Sequence, residues 1–207
     1  MKGTAKANPR PLPARILERL ANYYGLDGVP EVGDFLKPLD GAERETLLIR
    51  DDGEGLEVAL HLPRGILEGQ RPASLDVLCQ VVEGVSHFLY VAERARRELP
   101  ATQLELELQA EVDKYVMLVH TGAAFVAYSP ARAAALCARL FEGVRYADPP
   151  GTECGDRYRM ANSLAARLAG RLEARFAQRG RFDDLRAALR QFYCAGQTEK
   201  IALARAA

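Results

Sequence analysis

The sequence predicts a mainly α fold: a bundle of about six helices with one small β-hairpin near the N-terminus. Three observations carry that expectation. Leu75, Leu78, Val82, Val85, Leu89 and Ala92 recur at steps of three and four, the period of a helix buried along one stripe. ETLLIR, then DDGEG, then LEVALHLP reads as strand, turn, strand. Prolines and glycines divide most of the remainder into segments of helical length.

Residues 1–12 are basic and Pro-bearing, and a flexible tail is expected there. Pro13 suits the first turn of a helix that places Ile16, Leu17, Leu20 and Tyr24 on one face and stops at Gly25. Leu26 to Gly41 holds three Gly and two Pro and reads as loop, with one turn near Phe35. In the hairpin, Leu56, Val58, Leu60 and Leu62 share one face of the second strand and Glu57, Ala59 and His61 the other, until Pro63 ends it. A lone hairpin is marginal in water, so its apolar face should lie on helices.

Ser74 is placed to cap a helix over 74–98, widened by Val81 and Phe88, roughly 37 Å long and closed by Pro100. The next stretch, TQLELELQAEVDKYVMLV, gives two signals. Polar and apolar residues alternate from Gln103 to Asp113, the period of a strand, yet Leu, Glu, Gln and Ala favour helix. Thr102 and Glu105 stand at capping-box spacing, and the sequence therefore predicts a helix over 102–120, ending at Gly122. Helix 129–143 follows with Ser129 as cap and Pro130 at its first position, then a loop over 146–155. Helix 156–179 carries Met160, Leu164, Leu168, Leu172 and Phe176 along one edge, and Gly180 breaks it. Helix 182–194 carries Leu185, Leu189 and Phe192, and Thr198 caps a last short helix through Ala206. Residues 13–207 are expected to form one mainly helical domain, with 13–70 as a helix-plus-hairpin subregion and 71–207 as the bundle.

The chain has 207 residues, is 48% hydrophobic and 27% charged, and its net charge is zero, which argues against a polyanion as its bulk partner. The zero hides an asymmetry: residues 151–207 carry +5 and the rest −5. Cys79, Cys137, Cys154 and Cys194 form no CxxC pair and read as isolated thiols in a reducing compartment. Cys79 and Cys137 fall in helical patterns and are expected in the core, whereas Cys154 is the thiol expected to be exposed, in the PPGTECGDRY loop. No secretory h-region stands behind the N-terminus and no apolar run approaches the roughly 18–20 residues of a membrane span, so the cytoplasm is the expected location. GxSxG, Walker and GxGxxG motifs are absent, and GEG at 53–55 reads as a hairpin turn.

Two constellations carry chemistry. Wound as a helix, the 102–120 segment turns Glu111 to within about 20° of Leu104 and Leu118, with Glu107 beside it and Lys114 at i+3. A buried carboxylate must be paired, protonated or metal-bound. Asp76, Gln80, Glu83, His87, Tyr90 and Arg94 form one polar stripe on the preceding helix, so Glu83, His87, Glu107 and Glu111 are the candidate metal ligands, a donor set suited to iron, manganese or zinc. Helical di-iron sites use Glu-x-x-His on two helices, and here the spacing is Glu-x-x-x-His and occurs once. The simpler expectation leaves Glu83 and His87 on a solvated face and pairs Glu111 with Lys114 or an arginine. Arg167, Arg171, Arg175 and Arg179 recur every fourth residue as a candidate basic face, interrupted by Glu173, Asp183 and Asp184.

The leading expectation is a non-enzymatic cytoplasmic helical protein that binds another protein, as an adaptor or by self-association, with no cofactor and no membrane. The alternatives are a metal-binding bundle enzyme or carrier built on the Glu/His set, and nucleic-acid binding through the Arg-rich C-terminal helices.

Overall fold

The computed structural model describes residues 10–40, 44–51, 56–121 and 128–206. Among the described residues the structure is mainly helical, with eight helices and a three-stranded sheet near the N-terminus. The mainly α class read from the periodicity is the class that forms.

Helix α1 spans Leu12–Tyr24 and ends where Gly25 takes the left-handed conformation (φ 69°), returning its N–H to the Ala21 carbonyl. The linker beyond departs from the expected loop. After a 3₁₀ turn at Val32–Phe35, near the expected place, strand β1 (Leu36–Leu39) pairs in parallel with β3 (Leu56–Pro63). β2 (Thr46–Asp51) pairs with the other side of β3 in antiparallel register, Leu47 opposite Leu60 and Ile49 opposite Val58. The order β1-β3-β2 leaves β1 at an edge, which is where Pro38 can sit without interrupting a ladder. Four residues are too few to show a period, so the sequence carried no signal for this strand. The expected hairpin turn at 52–55 lies outside the described residues.

Leu60 and Leu62 are fully buried beneath the sheet, and a one-turn helix α2 (Arg64–Leu67) follows directly. Helix α3 (Leu75–Arg96) starts at Ser74, whose hydroxyl accepts from the Val77 amide. Gly84 faces the sheet: a Cβ there would stand 2.9 Å from Leu60 Cδ1 and 3.3 Å from Leu62 Cδ2, so glycine sets how closely strand and helix pack. By length and composition α3 qualifies as a membrane span, contrary to the expectation that no segment approached one. In the fold it is a core helix, packed on α1, the sheet and α4.

Helix α4 (Gln103–Tyr115) is the segment with the conflicting signals. It is helical, and the predicted capping box forms: Thr102 Oγ1 accepts from the Glu105 amide, and Glu105 accepts from the Thr102 amide. Its last turn widens into a π-helix at Val116–His120. The expected stop at Gly122 lies outside the described residues. Helix α5 (Pro130–Phe141) is capped by Ser129 as predicted. Helix α6 spans Glu153–Arg175, starting three residues before its predicted start because Thr152 provides the cap, so Cys154 sits in its first turn. Met160 is 45% exposed and does not belong to the packed edge of α6. Cys154 and Cys194 are exposed, while Cys79 and Cys137 are half-buried. Helix α7 (Phe182–Cys194) matches its predicted span, and α8 (Gln197–Arg205) is capped at Gly196 rather than Thr198.

The core centres on α4, which contacts α3, α5, α6 and α8. Nine of its thirteen residues are buried, including Glu105, Glu107, Gln109 and Asp113. That placement explains the acidic ribbon: each polar side chain points into a neighbouring helix and has to find a partner there.

Candidate metal centre

From Glu83 to Arg94 the polar stripe of α3 faces α4, while Asp76 at its start is exposed. Glu83 is 6% exposed, and the expectation of a solvated face for Glu83 and His87 is overturned. Ligand atoms of Glu83, His87 and Glu107 lie within 4.8 Å of one another, with His87 Nε2 3.9 Å from Glu107 Oε2. Two ligands each about 2.1 Å from a metal can stand at most about 4.2 Å apart. The His87–Glu107 pair already meets that limit, and the widest separation needs only a small side-chain adjustment.

Glu111, the fourth candidate, falls outside this triad. Lys114 donates to Glu111 Oε1 at 2.7 Å and to Glu83 Oε2 at 3.1 Å, so Glu111 joins the cluster through the ammonium. The expected Glu111–Lys114 pairing is therefore present. Burial disfavours the Lys114 charge, but Glu83 and Glu111 outweigh it and raise its pKa. Burial likewise pushes the Glu83 carboxyl up, and Lys114, His87 and Arg44 together bring it below the usual range. Glu107 is raised to about 7, by burial and then by the Glu83 charge.

Sequence reasoning missed two further members. Glu45, at the foot of β2, packs its Cγ over Gly84 beside Glu83, and its side chain is 6% exposed. Burial and then Glu83 push its carboxyl up to about 9. Tyr158 of α6 stands close enough to Glu107 to offset part of the rise in that carboxyl's pKa. Neither carried a signal in the sequence: Glu45 reads as the polar start of a strand, and Tyr158 as one aromatic in a helix. The result is four carboxylates around one buried cation, Lys114, with the half-exposed Arg44 and with Arg157 at the margins.

Four buried side-chain polar atoms lack a hydrogen-bond partner among the described residues: Glu45 Oε2, His87 Nε2, Arg157 Nε and Tyr193 OH. His87 belongs to this cluster, Glu45 lies beside Glu83, and the Arg157 charge acts on Glu107. The Leu106 backbone beside the His87 ring favours its charged form, while Nε2 is left without a partner. Burial lowers the His87 pKa in spite of Glu83, and a neutral ring with its proton on Nδ1 offers an Nε2 lone pair beside the carboxylates. A buried histidine with one nitrogen open beside carboxylates suits a metal-bound imidazole. One imidazole and two or three carboxylates suit manganese, iron or zinc. Three protein ligands leave a position for water. A cavity of about 120 Å³ lined by Glu83, Glu111, Lys114 and Tyr158 adjoins the cluster.

The candidate basic face does not act as a unit. Arg171 spends its guanidinium on the Leu203 and Ala206 carbonyls, tying the end of α8 to α6, while Arg167, Arg175 and Arg179 are exposed. Arg175 lies over the Phe176 ring at 5.2 Å. Glu173, which looked like an interruption of the basic pattern, is itself buried. It accepts from Tyr115 at 2.7 Å and from Tyr128 at 2.5 Å, and His120 Nε2 lies 2.8 Å away. The chain matches no known family, curated protein or solved structure.

Proposed function

We propose that this chain is a metal-binding helical protein that holds one divalent transition-metal ion between α3 and α4, on Glu83, His87 and Glu107. The buried, unpartnered His87 Nε2 within the Glu83–His87–Glu107 group supports the reading most directly. A satisfied core leaves few such atoms, and this imidazole nitrogen stands 3.9 Å from the Glu107 carboxyl. The raised Glu107 points the same way, because a bound divalent cation would hold ionised a carboxylate that burial and Glu83 disfavour.

Protein purified without chelator, analysed for metal and then titrated with Mn²⁺, Fe²⁺ and Zn²⁺ by calorimetry, tests this. One ion per chain is expected for at least one metal. His87→Ala and Glu107→Gln should abolish uptake while the circular dichroism of the helices is kept, and Glu111→Gln should retain it. A chain that takes up no metal, or whose uptake survives both ligand substitutions, excludes the proposal.

A further inference from the structure

A second surface uses none of the metal-centre residues. Between α1, the start of α3, segment 67–74, the π-helical turn and α5 lies a groove of about 990 Å³. Its floor is apolar and deep: Ile16 is 2% exposed, Val82 0% and Met117 6%. Its rim is basic. Arg15, Arg71 and Arg132 come from three different elements, each exposed, and Glu68 is the only carboxylate among the lining residues. None of the ion pairs formed by arginines among the described residues uses these three.

We infer that this groove docks an acidic amphipathic helix of a protein partner, apolar face down and carboxylates toward Arg15, Arg71 and Arg132. The charge pattern selects the occupant. A single-headed anionic lipid places its charge at one point, whereas this rim offers guanidinium groups from three separate segments of the chain. A helix with acids on both flanks of an apolar stripe answers them together. Size agrees: a helix about 10 Å across fills this volume over roughly two and a half turns. Desolvated on one face and charged at the edges, such a contact has the apolar core and polar rim of a protein interface.

The probe is a fluorescein-labelled synthetic helix of about 18 residues, with leucine at i, i+3, i+4 and i+7 and glutamate on both flanks, followed by anisotropy against the full chain. Saturable binding is expected, weakening steeply with salt. The triple variant Arg15→Glu, Arg71→Glu, Arg132→Glu should lose about tenfold or more in affinity. The same peptide with lysine in place of glutamate should not bind. Leu136→Glu, in the half-buried wall, should weaken binding without reversing the charge preference. Equal binding of the two peptides, or full affinity in the triple variant, overturns the inference. So does uptake of oleate by a chain that ignores the peptide, which assigns the groove to lipid. Light scattering that shows a dimer dispersed by the triple variant assigns it to a second copy. Peptide binding that appears only after removal of residues 1–9 assigns it to the chain's own N-terminus.

Discussion

Lys200 shows what a single residue can hide. In TEKIALARAA it reads as a surface lysine, yet it is 0% exposed, with Nζ donating to Gln109 Oε1 at 2.6 Å and to the Phe192 carbonyl at 2.7 Å. Burial lowers its pKa to about 7, against the pull of Asp113 and Glu105. The unfolded chain then holds this proton up to about pH 10.4, whereas the folded chain releases it near 7. Between those values the unfolded state binds more protons, so stability rises with pH across that window and the cost is full below it. Urea unfolding of the chain and of Lys200→Met at pH values of about 6, 8 and 10 checks the sign. The stability of the parent relative to the variant should increase along that series, and a flat difference shows that the ammonium stays charged throughout. Glu173 teaches the same lesson: two tyrosines and a histidine from distant parts of the chain converge on it, and no local pattern announces such a meeting.

At the scale of elements, α4 explains why its own sequence misleads. Alternation reports a strand only when one face is wet and the other dry. Helix α4 is covered on nearly every side, so polarity along it no longer records exposure, and Glu105, Glu107, Gln109 and Asp113 are all buried. What remained readable was the end of the helix, because a cap is made within four residues. Removing the hydroxyl in Thr102→Ala should cost about 1 kcal/mol in chemical denaturation, with the helix retained. A loss below a few tenths would show that the Glu105 side chain, also near Tyr90 (3.2 Å) and Arg94 (3.4 Å), holds the turn unaided. The polar stripe of α3 was readable as a stripe. Its direction was not, since periodicity gives the angle between faces but not which face meets protein.

For the whole molecule, the sheet and the bundle are joined at Gly84, and that junction brings Glu45 beside Glu83, a ligand of the proposed metal site. A Cβ at Gly84 would also stand 3.4 Å from Glu45 Cγ. Gly84→Val should destabilise by about 1–3 kcal/mol through overpacking. It should also weaken metal binding by moving β2 and its glutamate, while Gly170→Ala, on α6 with open space around it, should do neither. Metal at about 100 times its dissociation constant should raise the stability of the parent by roughly 2.7 kcal/mol, read as a higher unfolding midpoint. No shift on saturation would separate surface adsorption from the enclosed site.

The sequence by itself determined the helical class, the paired strands, the caps at Ser74, Thr102 and Ser129, and the residue types able to bind a metal. Each of these is encoded within a few neighbours or one hydrophobic period. Only the tertiary structure decided that Glu83, His87 and Glu107 converge, that Glu45 lies beside Glu83 and Tyr158 beside Glu107, and that Glu111 is held apart by Lys114. Side-chain proximity across helices depends on their rotation and register, which are set by the packing of the whole core and by no local stretch of the chain.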